Sequence, residues 1–383
     1  MNQNNNNTNT NNPLPGGIIL DAIKDKNAII MATNIRFIPG IAKGILQAAK
    51  DTDTPVMIEI ARSECNLEGG YIGHTPKTFA ENIINAAKET KNTKWALHAD
   101  HIGIKYGTKE EIEETKKLIK AQIDAGFTSF AIDASHIFNF NGKTVIEELE
   151  GNIKATKEIA DYIKNECDKY GLKNFGLEVE VGEIGRKDNN GFIVTSVTES
   201  VTYIKELNKL NVYPHTLAIS NGSTHGNIYT NGNISNQISI DIPQTKKIAE
   251  ALKSEGFNTR IAQHGITGTP LKFIKSLFPK GDILKGNVGT HWQNILFEIL
   301  EKNETELYNK IHNWVLEKYA DKEKTNEEIF GKNAKFALKE FFEELQNIDE
   351  KTINILEEKA YNDAVMFFKA FGCLGTGSYI NTN

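Results

Sequence analysis

The sequence has few cysteines and no long apolar run, and both absences narrow the class of protein. Its three cysteines, Cys65, Cys167 and Cys373, are odd in number and far apart. This spacing gives neither a disulfide framework nor a Cys-x-x-Cys metal site, so a reducing cytoplasm fits best. No apolar run approaches the roughly 20 residues that a membrane-spanning helix needs, and we expect no membrane association.

The chain also lacks an excess of positive charge. Its formal net charge is −6, with 44 lysines and arginines against 50 aspartates and glutamates. This balance argues against a nucleic-acid-binding surface. It still allows phosphorylated ligands, because local basic side chains and backbone amides decide whether a phosphate binds.

The first segment, residues 1–16, lacks the apolar stretch of a signal peptide. It is nearly all Asn and Thr as far as residue 12. Such a polar, low-complexity segment has no side chains with which to build a core. We therefore expect a disordered tail, with the folded part beginning at residue 17.

Between residues 17 and 300, short apolar runs alternate with segments of helical periodicity. Eight runs predict strands at 27–34, 55–61, 95–100, 127–135, 175–182, 215–222, 260–265 and 282–289. Strict alternation of eight strands with helices is typical of an α/β protein of the (β/α)8 TIM-barrel type. An open, doubly wound sheet is the alternative. Polar residues follow nearly every strand, however, whereas an open sheet gathers its ligands at one switch point.

Residues 301–383 are charged and have helical periodicity throughout. Helices are predicted at 304–319, 336–345 and 353–371. We expect a C-terminal helical extension that packs on the barrel or joins copies of the chain into a homodimer or homotetramer.

Histidines and carboxylates recur where the predicted strands end. Asp100 and His101 follow the third strand, Glu180 the fifth, His225 the sixth and His264 the seventh. In a barrel these ends face one mouth. Three neutral imidazoles with an open fourth position form a catalytic zinc site, to which Glu180 could add a ligand.

The third strand carries a second histidine, His98, only three residues before His101. The two cannot both point inward from one straight strand, because side chains alternate with period two. We therefore expect one of them past the strand end, at a turn that Gly103 permits. We assign His98 to packing inside the barrel.

Two glycine-rich stretches follow the last two predicted strands. They span residues 265–268 (GITG) and 286–290 (GNVGT). Small residues expose backbone N–H groups, and the following helix adds the positive end of its dipole. Because loops after strands seven and eight are the usual phosphate site of a barrel enzyme, these stretches predict a phosphorylated substrate.

Together these motifs make the chain similar to class II, zinc-dependent fructose-bisphosphate aldolases. The resemblance covers about residues 18–300 and a closing run at 366–377. It rests on LHADH (97–101), DAGFTSFAIDASH (124–136), LEVEVGEIG (177–185), LAISNGSTHGNIY (217–229), AQHGITG (262–268) and KGNVGT (285–290).

The resemblance implies a metal-dependent lyase of glycolysis and gluconeogenesis, which cleaves fructose 1,6-bisphosphate reversibly into dihydroxyacetone phosphate and glyceraldehyde 3-phosphate. It places the zinc ligands on His101, His225 and His264, with Glu180 as the alternative metal ligand. It places a catalytic carboxylate on Asp100. The substrate- and phosphate-binding positions fall on Asn34, Gly226, Gly265, Thr267, Asn287 and Thr290.

Two departures from the family pattern concern the substrate. After the fifth strand the family often carries two glutamates, one of which removes the substrate proton. This chain has Gly185-Arg186-Lys187-Asp188 there, which makes Asp188 the candidate. A serine that contacts phosphate after the second strand is replaced by Ala61, beside Arg62.

Other functions therefore stay open. The substrate could be tagatose bisphosphate or another ketose phosphate, and the chain could be a non-catalytic, aldolase-like subunit. A Schiff-base aldolase would use Lys285 as its nucleophile, but that chemistry gives the three strand-end histidines no role.

Overall fold

The computed structural model describes residues 11–185, 187–188, 191–230 and 232–381, with a closed parallel barrel at its centre. Each strand pairs with the next along the chain, and the eighth closes on the first. This confirms the predicted (β/α)8 barrel. The strands are β1 (Ile30–Asn34), β2 (Val56–Ala61), β3 (Trp95–Gly103), β4 (Ser129–Asp133), β5 (Gly176–Val181), β6 (Thr216–Ile219), β7 (Arg260–Gln263) and β8 (Ile283–Val288).

The strands read as apolar runs because both of their faces are covered. Every strand residue of the barrel is buried except His101 and Gly103. β3 is also the one barrel strand that runs past its predicted end. These two partly exposed residues thus mark the place where the barrel opens.

Helices form the outer layer of the barrel, and side-chain caps fix where several of them begin. Thr75, Thr108, Thr144, Ser196 and Asp241 each accept a hydrogen bond from the backbone N–H three residues later. A preceding helix, α1 (Gly16–Ile23), contacts β3 and β5. The others are α2 (Ile41–Asp51), α3 (Pro76–Thr90), α4 (Lys109–Ala125), α5 (Val145–Lys169), α6 (Val197–Lys209), α7 (Ile242–Ser254), α8 (Leu271–Leu277) and α9 (Thr290–Asn303).

Two loops at the barrel mouth contain small antiparallel ribbons that the sequence reading did not predict. After β5, Lys187–Asp188 pairs with Gly191–Phe192. After β6, Ile228–Thr230 pairs with Asn233–Ser235. Strands this short carry too little periodicity to be recognised before the structure is known.

The C-terminal extension is helical, as predicted, but it is divided differently. Residues 336–345 form short pieces instead of one helix, and the helix at 326–333 was not predicted. The elements are α10 (Thr305–Lys318), α11 (Asn326–Asn333), a 3-10 helix (Ala334–Phe336), α12 (Ala337–Glu340), α13 (Phe342–Gln346), α14 (Glu350–Phe371) and a second 3-10 helix (Thr376–Tyr379).

The last long helix, α14, belongs to the outer layer of the barrel, where it packs against α2, α8, α9 and β1. The contact with α2 is close because Gly44 has no side chain. A Cβ at Gly44 would lie 2.3 Å from the carbonyl oxygen of Glu357. The Ile29 N–H donates to the Phe371 carbonyl at 3.0 Å, which ties the end of α14 to the start of β1.

The N-terminal segment lies partly outside this description, since the described residues begin at 11. Within the described part, Leu14 donates its N–H to the Trp95 carbonyl at 2.8 Å. Across the described ranges, no helix combines the length and the apolar character needed to cross a membrane.

Candidate functional site

A cavity of about 700 Å³ opens at the C-terminal end of the barrel. The side chain of Asp188 lies outside the described residues. The remaining residues singled out from the sequence all line the cavity: Asn34, Asp100, His101, Glu180, His225, Gly226, His264, Gly265, Thr267, Asn287 and Thr290. The barrel thus brings together residues that are up to 256 positions apart, from Asn34 to Thr290.

Three histidines form the centre of this cavity. One ring nitrogen from each of His101, His225 and His264 lies within 4.8 Å of the others. The ring centroids of His101 and His264 are 4.5 Å apart, and those of His101 and His225 are 5.1 Å apart. The Nε2 atom of His101 is buried and has no hydrogen-bond partner among the described residues. Three converging imidazoles with an unsatisfied nitrogen fit a divalent transition-metal ion.

A bulge in β3 aims His101 into the cavity. The register between β3 and β4 shifts between Ala99 and Ile102, and His101 has a φ of 40°, in the left-handed region. The expectation that one of the two histidines lies past the strand end is therefore wrong, because β3 continues through both histidines and ends at Gly103. His98 is buried inside the barrel, where its Nδ1 lies 2.7 Å from Ser129 Oγ.

Carboxylates orient two of the three imidazoles. His264 Nε2 lies 2.8 Å from Glu178 Oε1, so its Nδ1, which lies 3.4 Å from Asn287 Nδ2, is the nitrogen that faces the cavity. His101 Nδ1 lies 3.2 Å from Asp133 Oδ2 and 3.3 Å from Glu180 Oε2, which leaves its Nε2 free. Carboxylates behind ligating histidines fix the ring orientation and the protonated nitrogen.

Glu180 lies at the edge of the histidine group. Together with His101 and Asp133 it forms a second set of donor atoms within 4.8 Å of one another. Burial raises the pKa of Glu180 to about 7, and the charge of Asp133 adds to that shift. Glu180 is thus placed to provide an additional oxygen ligand beside the imidazoles.

Asp100 lies beside the histidines, and its carboxylate accepts hydrogen bonds from two side-chain amides. Its Oδ2 accepts from Asn34 Nδ2 at 3.0 Å and its Oδ1 from Asn287 Nδ2 at 3.4 Å. Burial favours the neutral form, but the charges of His101 and His264 outweigh it and hold the pKa of Asp100 well below its usual range. Asp100 is therefore an ionised carboxylate that can accept a proton from a bound ligand.

Below the histidines, the barrel interior contains a buried ion cluster. Lys285 Nζ lies 2.8 Å from Glu178, 3.3 Å from Glu59 and 3.2 Å from His98 Nε2. Burial opposes its charge, but Glu178 and Glu59 dominate and raise the pKa of Lys285. A Schiff-base lysine must be neutral to attack a carbonyl, so this environment argues against that role.

The two glycine-rich stretches lie side by side at the mouth. Gly265 has a φ of 63°, and a Cβ there would lie 2.5 Å from the Thr224 carbonyl oxygen. Thr290 is the first residue of α9, so the positive end of that helix faces the cavity. The Thr267 hydroxyl accepts from the N–H of His291 at 3.1 Å. Backbone amides at a helix N-terminus favour the binding of an anion.

Several cavity residues were not singled out as site residues from the sequence. Arg36 donates from Nε to Glu64 at 2.6 Å and from Nη1 to Thr290 Oγ1 at 3.2 Å. Arg36 lies two residues after Asn34, the last residue of β1, and this position after a strand could have identified it from the sequence. Lys335 comes from the extension, and no local pattern connects it to the barrel. The basic residues that line the cavity are Arg36, Arg62, Lys105 and Lys335.

Gln237 was also missed, although it joins two of the site loops. Its Oε1 accepts from the Thr224 N–H at 2.8 Å, and its Nε2 donates to the Gly265 carbonyl. The residue is completely buried. It therefore fixes the loop that carries His225 against the glycine-rich loop after β7.

Comparison with protein families gives one match over most of the chain. The model of the class II fructose-bisphosphate aldolase family matches residues 17–356. Among curated proteins, a 6-phospho-5-dehydro-2-deoxy-D-gluconate aldolase from Halalkalibacterium halodurans is 30% identical over 188 residues, 48% of this chain and 52% of the relative. This chain therefore spans about half the length of that relative. A fructose-bisphosphate aldolase from Streptococcus pneumoniae is 27% identical over 66% of this chain and 70% of its own length.

Solved structures resemble the fold over nearly the whole chain. The YdjI aldolase from Escherichia coli K12 aligns with a TM-score of 0.57 and 18% identity, covering 95% of this chain and 99% of that one. A fructose-bisphosphate aldolase from Campylobacter jejuni aligns with a TM-score of 0.57 and 20% identity, covering 94% and 96%. At these identities the structural likeness concerns the fold alone.

Proposed function

The chain belongs to the class II fructose-bisphosphate aldolase family, and from this premise we propose that it cleaves a phosphorylated ketose by a reversible, metal-dependent aldol reaction. The proposed substrate is fructose 1,6-bisphosphate, with dihydroxyacetone phosphate and glyceraldehyde 3-phosphate as products. The observation that carries the proposal is the convergence of His101, His225 and His264 beside Asp100, whose carboxylate accepts hydrogen bonds from Asn34 and Asn287.

The proposed cofactor is zinc, held by His101, His225 and His264, with Glu180 as an additional or alternative ligand. The donor set supports this assignment, because three imidazoles and an open position suit a catalytic zinc ion. When bound, such an ion supplies Lewis-acid polarisation of the ketose carbonyl. The Nε2 atom of His101 is buried and has no hydrogen-bond partner among the described residues, so a bound ion would give it one.

Asp100 is proposed to move the proton of the substrate hydroxyl. In the cleavage direction it accepts the proton from the hydroxyl at C4 as the bond between C3 and C4 breaks. In the condensation direction it returns that proton to the aldehyde oxygen. The amides of Asn34 and Asn287 keep the carboxylate oriented during both steps.

The two anionic ends of the substrate are proposed to bind on different sides of the cavity. One phosphate would accept hydrogen bonds from the stretch around Gly265 and from the start of α9 at Thr290, where Arg36 also lies. Arg62, Lys105 and Lys335 line the rest of the mouth and would receive the second anion. Holding both ends positions the reacting bond.

A second substrate follows from the relatives named 6-phospho-5-dehydro-2-deoxy-D-gluconate aldolase. That molecule ends in a carboxylate where fructose 1,6-bisphosphate ends in a phosphate, and the same basic side chains could bind either.

The assembled enzyme is proposed to be a homodimer or homotetramer.

One experiment tests the function directly. The purified protein is assayed for triose-phosphate release from fructose 1,6-bisphosphate, tagatose 1,6-bisphosphate and 6-phospho-5-dehydro-2-deoxy-D-gluconate. Activity should disappear with EDTA and return with Zn²⁺ or Co²⁺. Borohydride added with substrate should not inactivate the enzyme, whereas trapping at Lys285 would support Schiff-base chemistry. Protein that binds zinc but cleaves none of these substrates would support the non-catalytic subunit.

A further inference from the structure

We infer that Glu64, in the turn after β2, is a positioning residue whose carboxylate acts as an internal anion in the wall of the cavity. It holds Arg36 against the start of α9 and Asn34 against Asp100. One side chain thus sets both the phosphate-binding end and the proton-accepting end of the site. For its effect on turnover this inference rests on the proposed aldol function, which it deepens. The existence of the anion pocket itself can be tested without any activity.

Four donors converge on the Glu64 carboxylate. Its Oε1 accepts from Arg36 Nε at 2.6 Å and from the Tyr71 hydroxyl at 2.9 Å. Its Oε2 accepts from Asn34 Nδ2 at 3.1 Å and from the Ala61 N–H at 2.9 Å. A carboxylate offers about four lone-pair sites, and here each oxygen accepts two hydrogen bonds. Glu64 is therefore fully engaged by the protein and is not placed to ligate a metal ion or to accept a substrate proton.

The same donor set would bind a free oxyanion. A guanidinium, a phenol hydroxyl, a side-chain amide and a backbone N–H all point at one place, and the charged donor strengthens the binding of an anion there. The side chain of Glu64 is 3% exposed and that of Arg36 is 14% exposed. A buried ion pair is tolerated only where further hydrogen bonds satisfy its remaining lone pairs. The other three donors meet this condition, so the pocket is built for an anion that the chain itself supplies.

The backbone of the turn delivers Glu64 to this pocket. The Glu64 N–H donates to the Ala61 carbonyl at 2.9 Å, and the Glu64 carbonyl accepts from the Ile72 N–H at 3.2 Å. Gly70, with a φ of 54°, approaches so closely that a Cβ there would lie 2.1 Å from the Glu64 carbonyl oxygen. The fold of residues 61–72 therefore holds the carboxylate in place without a bound ligand.

On one side of the pocket, Glu64 fixes the direction of Arg36. The Nη1 atom of Arg36 donates to Thr290 Oγ1 at 3.2 Å and to Gln293 Oε1 at 3.0 Å, both on α9. Its described hydrogen bonds use Nε and Nη1, so Nη2 remains for a ligand in the cavity that Arg36 lines. The charge of Asp100 also attracts Arg36. Without Glu64 the guanidinium would move toward Asp100 and away from the phosphate-binding start of α9.

On the other side, Glu64 fixes the amide of Asn34. Asn34 Nδ2 donates one hydrogen to Glu64 Oε2 at 3.1 Å and the other to Asp100 Oδ2 at 3.0 Å. With a carboxylate at each hydrogen, the amide nitrogen must face Asp100, whereas the loss of Glu64 would let the amide rotate. That rotation would shift the carboxylate proposed to take the C4 hydroxyl proton, and a displacement of about 1 Å can cost about 10²-fold in rate.

The test empties the pocket and refills it. Glu64→Ala removes the carboxylate but leaves the four donors, so acetate can take its place. Unfolding midpoints of wild type, Glu64→Ala, Glu64→Gln and Glu166→Ala are recorded against acetate concentration, with chloride at equal ionic strength as the reference. Glu166 is the matched control, because it is also buried and paired, with Lys169 at 2.6 Å, but does not line the cavity. Cleavage of fructose 1,6-bisphosphate and zinc content are measured in the same buffers.

Acetate should raise the midpoint of Glu64→Ala saturably and leave those of wild type and Glu166→Ala unchanged. We expect kcat/KM of Glu64→Ala to fall about 10²-fold and acetate to restore about tenfold. Zinc content should stay at the wild-type level, because none of the four donors belongs to a proposed metal ligand. Glu64→Gln fills the pocket without a charge, so it should lose kcat/KM to a similar extent and gain nothing from acetate.

The alternatives give distinct results. If acetate neither stabilises Glu64→Ala nor restores its activity, or if both Glu64 variants keep the kcat/KM of wild type, the inference is wrong while the aldol function stands. If Glu64→Ala does not fold, Glu64→Gln decides in the same way: a loss of about 10²-fold supports the inference, and wild-type kcat/KM overturns it. If wild type cleaves no substrate, the proposed function fails, whereas saturable stabilisation of Glu64→Ala by acetate would still support the internal anion.

Discussion

The Nε2 atom of His264 lies 2.8 Å from Oε1 of the buried Glu178, and this contact decides which nitrogen of the imidazole faces the cavity. Glu178 should therefore control metal affinity without touching the metal. Glu178→Gln removes the charge that holds the ring, and we expect zinc affinity to fall about 10- to 100-fold. Competition with a chromophoric chelator measures this change.

Glu59→Gln is the matched control for Glu178→Gln. Glu59 shares the ion cluster through Lys285 but has no described contact with His264. Burial first, and then the charges of Asp100 and Glu178, raise the pKa of Glu59 well above its usual range. Its zinc affinity should stay near that of wild type. An equal loss in both variants would mean that the cluster as a whole, and not the His264 contact, sets affinity.

Asp100 should be needed for turnover but not for metal binding. Asp100→Asn keeps the size of the side chain and removes its ability to accept a proton. We expect turnover to fall about 10²- to 10⁴-fold, with the zinc content per chain unchanged. Steady-state kinetics and elemental analysis of the same preparation check both statements. If the zinc is lost together with the activity, Asp100 is a metal ligand.

Gly331, on α11 of the C-terminal extension, should be needed for full zinc affinity. A Cβ at Gly331 would lie 1.5 Å from the hydroxyl oxygen of Tyr229, on the ribbon that follows His225. Gly331→Ala must displace that ring, so it should lower zinc affinity. The same change should not by itself destabilise the helix, because Gly→Ala inside a helix is normally stabilising by about 1 kcal/mol. Chelator competition and thermal unfolding measure the two effects.

A second substitution makes the Gly331 prediction specific. In a Tyr229→Ala background there is no ring to displace, so adding Gly331→Ala should lower zinc affinity no further. Additive losses in the double variant would mean that α11 acts on His225 by another route.

The barrel and the composition of its mouth could be predicted from sequence because both depend on local signals. Alternating apolar runs predicted the eight strands, and polar residues such as His264 marked where strands end. The bulge at His101 could not be predicted, because it depends on the register with β4 and not on the residues of β3 alone.

Other features depend on contacts that are distant in sequence. Lys335 reaches the cavity only because the extension folds back over the barrel mouth, and Gln237 matters because it bridges Thr224 and Gly265. Both are ordinary polar residues in their own segments. The family pattern pointed to Asp188 by position, and the side chain of Asp188 lies outside the described residues.

The last prediction concerns stability away from the cavity. His215 Nδ1 accepts the Leu177 N–H at 3.1 Å, and the side chain is 22% exposed. Burial lowers the pKa of His215; Asp21 opposes this shift and Lys24 adds to it. The unfolded chain therefore binds a proton more readily than the folded chain. As a result, the free energy of unfolding decreases as the pH falls below about 6.5.

His215→Asn tests this directly, because the amide oxygen can accept the same N–H but does not titrate. Urea unfolding at about pH 7.5 and pH 5.5 should show that wild type loses more stability than the variant on acidification, by no more than about 1.4 kcal/mol per pH unit. The difference should be small at the higher pH, where the histidine is neutral in both states. Parallel pH dependences of the two proteins would show that His215 is protonated equally in the folded and unfolded chain, and that burial beside Leu177 does not disfavour its charge.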